Sequence, residues 1–347
     1  MNQHKKRIAL FFLAIFIAWG HFGIPLSFGE KPPQGKGLYP GKITIGMETW
    51  PGYFPLIVAR DKGYFKEAGL DVEIKRYIAL GELSKDYVAG KMQGRANLTL
   101  DATQESLKGL DQRVVLAIDY SNGSDAIIAR KDIQSVPDFR GKRIGFEPDT
   151  LEEFFIVWTL SENNMSLSDV KPVSANPEET GKKLKAGEID VAVSHEPFLS
   201  QFVESRDFHV VYSSKDAPGL ITDILTFRTD FMEQYPETVE AILKAYFKGL
   251  NFWKEHPQEA NAITAKEFGD TSEGIAAQLQ GIKMLDEQDN QIAFTFAAGL
   301  KSLYGNMRQI GKFVLKHQAK RGAVVNTDKL IERKFIKNII AEEKSHE

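Results

Sequence analysis

Five acidic residues stand where short apolar segments of this 347-residue chain begin or end. They are Asp101, Asp125, Glu147, Glu196 and Asp223. Ligands of open α/β sheets collect at the carboxyl ends of the strands, where such residues would meet. Carboxylates gathered there repel a bare anion and attract an amine or another hydrogen-bond donor. The pattern therefore predicts a site for a donor-rich ligand, such as a zwitterionic aminosulfonate or an aminopyrimidine.

The segment after Glu147 predicts a second feature of this site. Thr150 and Glu153 have the spacing of a capping box, which predicts that a helix begins there. The free N–H groups and the dipole of a helix N-terminus favour an anion. We therefore expect Asp149 and Thr150 to lie at the site, with the helix start holding the anionic end of a ligand. An ordinary structural cap is the alternative role of Thr150, and both roles can hold at once.

Two aromatic residues and one further polar residue complete the predicted site. Trp50 and Tyr53 belong to a Trp-Pro-Gly-Tyr turn that follows the predicted strand Ile43–Ile45. We expect them to cover the apolar part of a ligand or to make a cation–π contact. Thr103 lies at another predicted helix start, just after Asp101.

No arrangement of residues predicts catalysis, a metal site or a cofactor. The pair His195-Glu196 begins like a zinc-protease helix, but Leu199 stands where the second histidine ligand is needed. The glycines of Gly35–Gly37 follow no strand, and a Gly-x-Ser-x-Gly elbow is absent from the sequence. The chain has no cysteine, which excludes disulfides, thiolate metal sites and cysteine nucleophiles. We therefore expect a binding protein and not an enzyme.

The first thirty residues predict export. A basic stretch ending at Arg7 precedes the uncharged apolar run Ile8–Gly20, and the small residues Ser27 and Gly29 predict cleavage before Glu30. The apolar run is short for a membrane span, which needs about 20 residues. An uncleaved N-terminal anchor is the alternative. Because no cysteine can carry a lipid, we expect a periplasmic protein that is not lipid-anchored.

Length and charge restrict the partners. About 318 residues remain after cleavage, which exceeds one typical core and suggests two lobes. The formal net charge is −3, whereas nucleic-acid binding rewards basic patches. We therefore expect a monomer that binds a small molecule and no nucleic acid.

Strands and helices alternate along most of the chain, which indicates an α/β fold. Beyond Asp223 the pattern becomes helical, and Pro236–His256 carries an apolar stripe at helical spacing. The short apolar runs that predict strands are Ile43–Ile45, Val72–Ile74, Val114–Ile118, Ala126–Ala129, Arg143–Phe146, Val170–Val173, Ile189–Val193 and Val210–Tyr212.

Three blocks of the sequence carry a resemblance to a known family. The first is the strand, turn and apolar helix from Ile43 onward, followed by Lys62-Gly63-Tyr64-Phe65 and Gly69-Leu70-Asp71-Val72. The others are Val136–Gly145 and Leu184–Val193. Together they resemble the bacterial solute-binding proteins of nitrate, sulfonate and taurine ABC importers, which are similar to thiamine-precursor-binding proteins. The resemblance covers roughly residues 42 to 315.

This resemblance implies a two-lobed periplasmic binding protein fold, type II-like, with two hinge strands and a helical C-terminal segment. The hinge strands are expected near Asp125–Arg130 and Leu220–Phe227. The lobes would close on the ligand by hinge motion, bringing Glu196 and Asp223 to a donor group from opposite sides. The implied divisions are a signal peptide at 1–29, a spacer at 30–41, a first lobe of 42–125 with 226–347, and a second lobe of 126–225.

The implied function is the capture of a small organic solute, such as a sulfonate, a taurine-like zwitterion or an aminopyrimidine, for an ABC permease in the inner membrane. Two alternatives stay open at this point. One is a sensory protein of the same fold that docks on a membrane receptor. The other is an enzyme similar to thiamine-pyrimidine synthase, which uses cysteine and histidine groups and is intracellular; the leader and the absence of cysteine argue against it.

Overall fold

The computed structural model describes residues 37–77, 80–196, 198–199, 207–317 and 325–346. The predicted signal peptide, residues 1–29, lies outside this part of the chain, as does most of the predicted spacer. Within these ranges no helix has the length and apolar character that crossing a bilayer requires.

The strands form two separate sheets. Their bounds are β1 Lys42–Met47, β2 Asp71–Arg76, β3 Gly94–Leu98, β4 Gln112–Ser121, β5 Asp125–Arg130, β6 Arg143–Phe146, β7 Lys171–Ser174, β8 Val191–His195, β9 Phe208–Ser213, β10 Thr222–Arg228 and β11 Ile282–Met284. The first sheet has the order β11-β4-β10-β3-β1-β2, and the second has the order β7-β6-β8-β5-β9. Each sheet is the centre of one lobe.

Both sheets are mixed. In the first, β1 is parallel to β2 and β3, whereas β10 is antiparallel to β3 and β4. In the second, β6 is parallel to β7 and β8, whereas β5 is antiparallel to β8 and β9. Each of the eight apolar runs predicted as strands overlaps one of these strands.

Helices cover the sheets. Their bounds are α1 Phe54–Asp61, α2 Tyr64–Glu67, α3 Leu80–Val88, α4 Thr99–Leu107, α5 Leu151–Glu162, α6 Pro177–Lys185, α7 Thr229–Gln234, α8 Pro236–Glu255, α9 Pro257–Phe268, α10 Ser272–Gln278, α11 Glu287–Ala293, α12 Leu303–His317, α13 Thr327–Leu330 and α14 Lys334–His346. The predicted apolar stripe of α8 is buried throughout, from Val239 to Trp253. This confirms the helical spacing predicted for that segment.

Two short segments carry the chain between the lobes. Residues 122–124 run from β4 of the first sheet to β5 of the second, and residues 214–221 return from β9 to β10. The strands predicted as hinges coincide with β5 and β10, yet each of these strands lies wholly within one sheet. The passage between lobes is therefore made by the turns that precede the two strands.

Helix α12 contacts both lobes, although the sequence pattern assigns residues 226–347 to the first lobe. Leu303, Tyr304 and Met307 at its start belong to the first core. Further along, Ile310, Phe313 and Val314 belong to the core of the second lobe. One helix is thus shared by two cores.

The same helix is bonded to the returning connection. The side-chain amide of Asn306 donates to the carbonyl oxygens of Gly219 at 2.7 Å and Leu220 at 2.8 Å. Gly219 has φ +85°, and a Cβ built on it would lie 2.7 Å from the carbonyl oxygen of Leu300. Glycine is required there because both the backbone conformation and the close approach exclude a side chain.

Candidate ligand-binding site

A cavity of about 450 Å³ lies between the two lobes. Its walls come from both sheets, and eight of the eighteen described residues that line it are acidic. None of these eighteen is Lys or Arg. The lining residues are Glu48, Thr49, Trp50, Leu98, Leu100, Asp101, Asp125, Glu147, Asp149, Thr150, Leu151, Glu152, Pro177, His195, Glu196, Phe198, Ile221 and Asp223.

The strand ends explain why acids meet here. Glu48 follows β1, Glu147 follows β6 and Glu196 follows β8, so these three residues stand at carboxyl ends of parallel strands. Asp125 and Asp223 stand near the start of β5 and β10 instead. Because those two strands run antiparallel to their neighbours, their beginnings reach the same edge.

Eight of the ten residues predicted for the site line this cavity. They are Trp50, Asp101, Asp125, Glu147, Asp149, Thr150, Glu196 and Asp223. The other two are corrections, because both side chains are fully buried outside its lining. Tyr53 lies in the core and donates its hydroxyl to Asp223, and Thr103 lies within α4. Neither is placed to cover a ligand.

Asp119 and Asp223 form a buried acidic pair at one end of the cavity. The indole N–H of Trp50 lies 3.3 Å from both carboxylate oxygens of Asp119, and Tyr53 donates to Asp223. Burial raises the pKa of Asp119 to about 8. Burial and the charge of Asp119 together raise the pKa of Asp223 well above its ordinary value. Both effects disfavour the charged form of Asp223, whereas the sequence predicted it to be a charged partner for a ligand.

Three other carboxyl groups of the cavity also hold protons unusually tightly. Burial, followed by the charge of Asp101, raises the pKa of Glu48 to about 7. Burial likewise raises the pKa of Asp101 and of Asp125 to about 6. Desolvation disfavours the charged form of an acid, and neighbouring acids add to the effect. The charge of an arriving cation would lower these pKa values and so oppose both contributions.

The N-terminus of α5 is occupied by the chain's own acids. The single hydroxyl hydrogen of Thr150 lies between two acceptors, the carbonyl oxygen of Glu147 at 2.7 Å and the Glu152 carboxylate at 2.5 Å from Oγ1. The hydroxyl oxygen accepts no bond from the helix backbone, so the predicted capping box is wrong in this respect. Glu153 instead accepts from the backbone N–H of Asp149 at 2.7 Å. With two acids already in the first turn, this helix start is a poor place for the anionic end of a ligand.

His195 is the lining residue that can carry a positive charge. Its Nδ1 lies 2.8 Å from the carbonyl oxygen of Glu196, and its Nε2 lies 3.5 Å from Oε1 of Glu152. Sequence reasoning missed His195, Glu152 and Glu48 as site residues. The signal was present for Glu48, which directly follows β1 in the same way that Glu147 follows β6.

The remaining lining supplies apolar surface. Leu100, Leu151, Phe198 and Ile221 bring hydrocarbon or ring surface to the cavity, together with the indole of Trp50. Across the described ranges, no three His, Asp or Glu side chains are placed to share a metal ion. The arrangement can hold an organic molecule through donors at its polar end and apolar contacts along its body.

The two lobes, each built on one sheet, and the cavity between them have the architecture of a periplasmic binding protein. The solved structure of the periplasmic aliphatic sulphonate binding protein SsuA from Escherichia coli superposes with a TM-score of 0.70 at 13% identity. The superposition covers 85% of this chain and 93% of the chain of that solved structure. The family model described as NMT1/THI5 like matches residues 50–260. The chain therefore belongs to the NMT1/THI5-like family, which confirms the resemblance predicted from its sequence.

Relatives of known sequence share about a quarter of the aligned residues with this chain. A Brucella abortus protein provisionally named as a binding protein is 24% identical over 226 residues, covering 60% of this chain and 66% of the relative. The chain thus spans just under two thirds of that protein. A Bacillus subtilis protein provisionally named as an aliphatic sulfonates-binding protein is 23% identical over 262 residues, covering 74% of this chain and 76% of the relative.

Proposed function

We propose that this chain is the periplasmic solute-binding protein of an ABC importer, and that it captures a small organic cation bearing amine or amidine donors. The observation that carries the ligand class is the acidic lining of the cavity, with no Lys or Arg among the described residues that form it. The periplasmic location, the permease partner and the monomeric state are part of the proposal, which the family and the sequence support.

Charge favours an amine over a sulfonate or nitrate. A carboxylate only accepts hydrogen bonds, so a lining of carboxylates needs a ligand rich in donors. A bound sulfonate would instead face like charges from Glu147, Glu152 and Glu196, and no Lys or Arg of the described lining offsets them. The sulfonate specificity named for the Bacillus and Escherichia proteins is therefore not proposed for this chain.

The apolar lining and the volume limit the shape of the ligand. Binding pockets for small molecules commonly enclose about 300–1,000 Å³, and this cavity lies near the lower end of that range. The ring of Trp50 offers a face for a cation–π contact, since its N–H already points to Asp119. A diamine, a guanidinium compound or an aminopyrimidine fits these demands.

Binding is also expected to close the lobes. Their facing walls carry acids from both sheets, so closure of the empty cleft brings like charges together. A cationic ligand removes that repulsion and favours the closed state by its greater affinity for it. Small-angle scattering should show a smaller radius of gyration when ligand is present.

A ligand panel tests the proposal on the mature chain. Thermal shift and calorimetry at pH 7.5 would compare 1,4-diaminobutane, agmatine, a 4-aminopyrimidine, taurine, butanesulfonate and nitrate. We expect at least one of the three cationic or donor-rich compounds to bind, and the sulfonate and nitrate not to bind. Tighter binding of butanesulfonate than of every amine would overturn the proposed ligand class.

Paired variants locate the bound cation. Glu152→Gln keeps the shape of the side chain and removes a charge, and should weaken amine binding about tenfold or more. Glu233→Gln is the matched control, because Glu233 is an exposed acid on α7 outside the cavity lining. Equal affinity of the two variants would place the cation elsewhere.

A further inference from the structure

His195 occupies a defined position in the wall of the cavity. It is the last residue of β8 and lies directly opposite Asp125 in the antiparallel pairing of β5 with β8. Side chains that face each other in such a pair lie on the same side of the sheet, with Cβ atoms about 5 Å apart. The ring of Phe198 packs edge-on against the imidazole with centroids 5.7 Å apart. The imidazole is thus held in place from more than one side.

The contacts of the two ring nitrogens of His195 indicate where its protons lie. The carbonyl oxygen of Glu196 can only accept, so Nδ1 at 2.8 Å must carry a hydrogen. The other nitrogen, Nε2, faces the Glu152 carboxylate at 3.5 Å. A lone pair on Nε2 would meet a negative charge there, whereas a second proton makes the contact an ion pair. The geometry therefore favours the doubly protonated, cationic ring.

Among the residues that the structure describes, the charged groups that act on this ring are acids. Asp125 lies on β5, Glu152 on α5, Glu48 after β1 and Glu147 after β6. Burial lowers the pKa of His195, but the charges of Asp125 and Glu152 outweigh it, and the pKa is raised overall. In turn, the charge of His195 lowers the pKa of Glu48 and of Asp125.

We propose that His195 is the internal cation of the empty cleft, and that a cationic ligand replaces its charge by expelling the proton. This inference rests on the proposed function, because it requires the ligand to be positively charged. The imidazolium offsets part of the acidic lining while the cleft is empty. Once an ammonium or amidinium group lies among the same carboxylates, the two cations repel each other. The ring then loses its Nε2 proton to solvent and its Nδ1–H bond to Glu196 remains.

This exchange makes His195 a determinant of specificity. A neutral or anionic solute leaves the imidazolium in place. Such a solute gains nothing from the acids, because the imidazolium already pairs with them. A cation gains contacts with those acids, and its binding releases one proton from His195. Its affinity should therefore rise with pH by up to about tenfold per unit while the ring titrates. His195→Gln should lower the number of protons released on binding by about one.

Nuclear magnetic resonance of the histidine Cε1–H groups tests the resting state without any ligand. The signal of His195 is identified by its loss in His195→Gln, and its titration is followed in the ligand-free mature chain. We expect a pKa above the ordinary value of about 6.5. A pKa at or below that value would overturn the proposal.

Addition of saturating 1,4-diaminobutane tests the exchange. The titration of His195 should move to lower pH, and calorimetry in two buffers of different ionisation enthalpy should show protons released at pH 7. His195→Gln should release about one proton fewer, bind the diamine more tightly at pH 6, and match the unaltered protein at pH 8. A diamine that binds without moving the His195 titration would overturn the exchange.

Controls separate this outcome from other failures. His256→Gln alters an exposed histidine between α8 and α9 and should leave proton release and affinity unchanged. His195→Asn provides a second variant should His195→Gln fail to fold. If no amine of the panel binds, the proposed ligand class fails and the proton exchange fails with it. A raised pKa of His195 in the ligand-free protein would then show that the ligand class was wrong and the charge assigned to His195 was right.

Discussion

Asp119 and Asp223 lie directly opposite each other in the pairing of β4 with β10, and both side chains are buried. Each receives one hydrogen bond from an aromatic side chain, Trp50 for Asp119 and Tyr53 for Asp223. Two like charges at this spacing in a dry environment cannot both persist, so the pair retains a proton near neutral pH. This end of the cavity consequently holds a pair of carboxyl groups whose charged forms are disfavoured.

The first prediction concerns the stability of the ligand-free protein between pH 5 and pH 8. Glu48, Asp101 and Asp119 have folded-state pKa values of about 7, 6 and 8, above their ordinary values near 4. Their contribution to stability is therefore fully present below about pH 4 and is lost as pH rises through 6 to 8. The free energy of unfolding, measured with urea, should fall by several kcal/mol between pH 5 and pH 8.

A variant of the acidic pair checks the source of this dependence. Asp119→Asn removes one titrating group and should flatten the fall in stability. Asp132→Asn is the control, because Asp132 is an exposed acid paired with Arg130 whose pKa is lowered. Equal stability of the unaltered protein at pH 5 and pH 8 would contradict the prediction.

The second prediction concerns Gly52 beside the acidic pair. A Cβ built on this residue would lie 1.8 Å from Oδ2 of Asp119 and 2.7 Å from Nε1 of Trp50. Gly52→Ala should therefore displace both side chains, lower the melting temperature by several degrees and weaken binding of the amine ligand. Gly81→Ala is the matched control, since nothing lies within 4 Å and the residue is in α3. It should be neutral or stabilising by up to about 1 kcal/mol. Gly52→Ala with normal stability and binding would count against the described packing.

Asn306 is the subject of the third prediction. Its amide bonds the carbonyl oxygens of Gly219 and Leu220, in the connection that returns to the first lobe. Asn306→Ala leaves these buried acceptors without a donor and should lower the free energy of unfolding by about 1–3 kcal/mol. Asn338→Ala removes an exposed amide bonded to Glu240 and should have little effect. Denaturant unfolding of both variants makes the comparison, and equal losses would reject a special role for Asn306.

The fourth prediction concerns Arg95, which is fully buried in β3 beneath the cavity. Its guanidinium pairs with Glu105 and lies 4.5 Å from the centre of the Tyr87 ring. Arg95→Met leaves Glu105 with an unpaired buried charge, which should cost about 3–5 kcal/mol. Adding Glu105→Gln should restore part of that loss. Arg113→Met breaks a more exposed pair with Asp111 and should cost no more than about 1 kcal/mol.

Arg95 should also influence the cavity from a distance. Its charge lowers the pKa of Asp101 and of Glu48, so its removal lets both acids keep protons to higher pH. Amine affinity at pH 7 should then fall in Arg95→Met even after Glu105→Gln has restored stability. Unchanged affinity in the double variant, measured by calorimetry, would confine Arg95 to a structural role.

The apolar patterns of the sequence predicted most of the fold. The β-branched runs of β1, β4 and β5 and the stripe of α8 are buried as expected, because burial of apolar side chains dominates folding. The strand β3 was missed because Arg95 and Asn97 make it look like a polar surface segment. Their burial depends on Glu105 and Thr226, which contribute through pairing that no local pattern reveals.

The candidate site was predictable in its residue types but not in its charges. Asp125, Glu147 and Glu196 were found because acids at strand ends meet at one edge of a sheet. The raised pKa of Asp223 could not be predicted, since it depends on burial and on Asp119 from another strand. His195 was set aside with the incomplete zinc motif, because its partners Glu152 and Asp125 lie far from it in sequence.

The shared helix α12 has a consequence for the order in which this chain folds. Ile310, Phe313 and Val314 complete the second lobe's core, although they follow its last strand by a long stretch of first-lobe sequence. In a polypeptide that emerges N-terminus first, one apolar side of the second sheet would therefore stay exposed until α12 was available to cover it. The two lobes should gain their stability together, in one cooperative transition, and residues 126–225 alone should collapse without a fixed core.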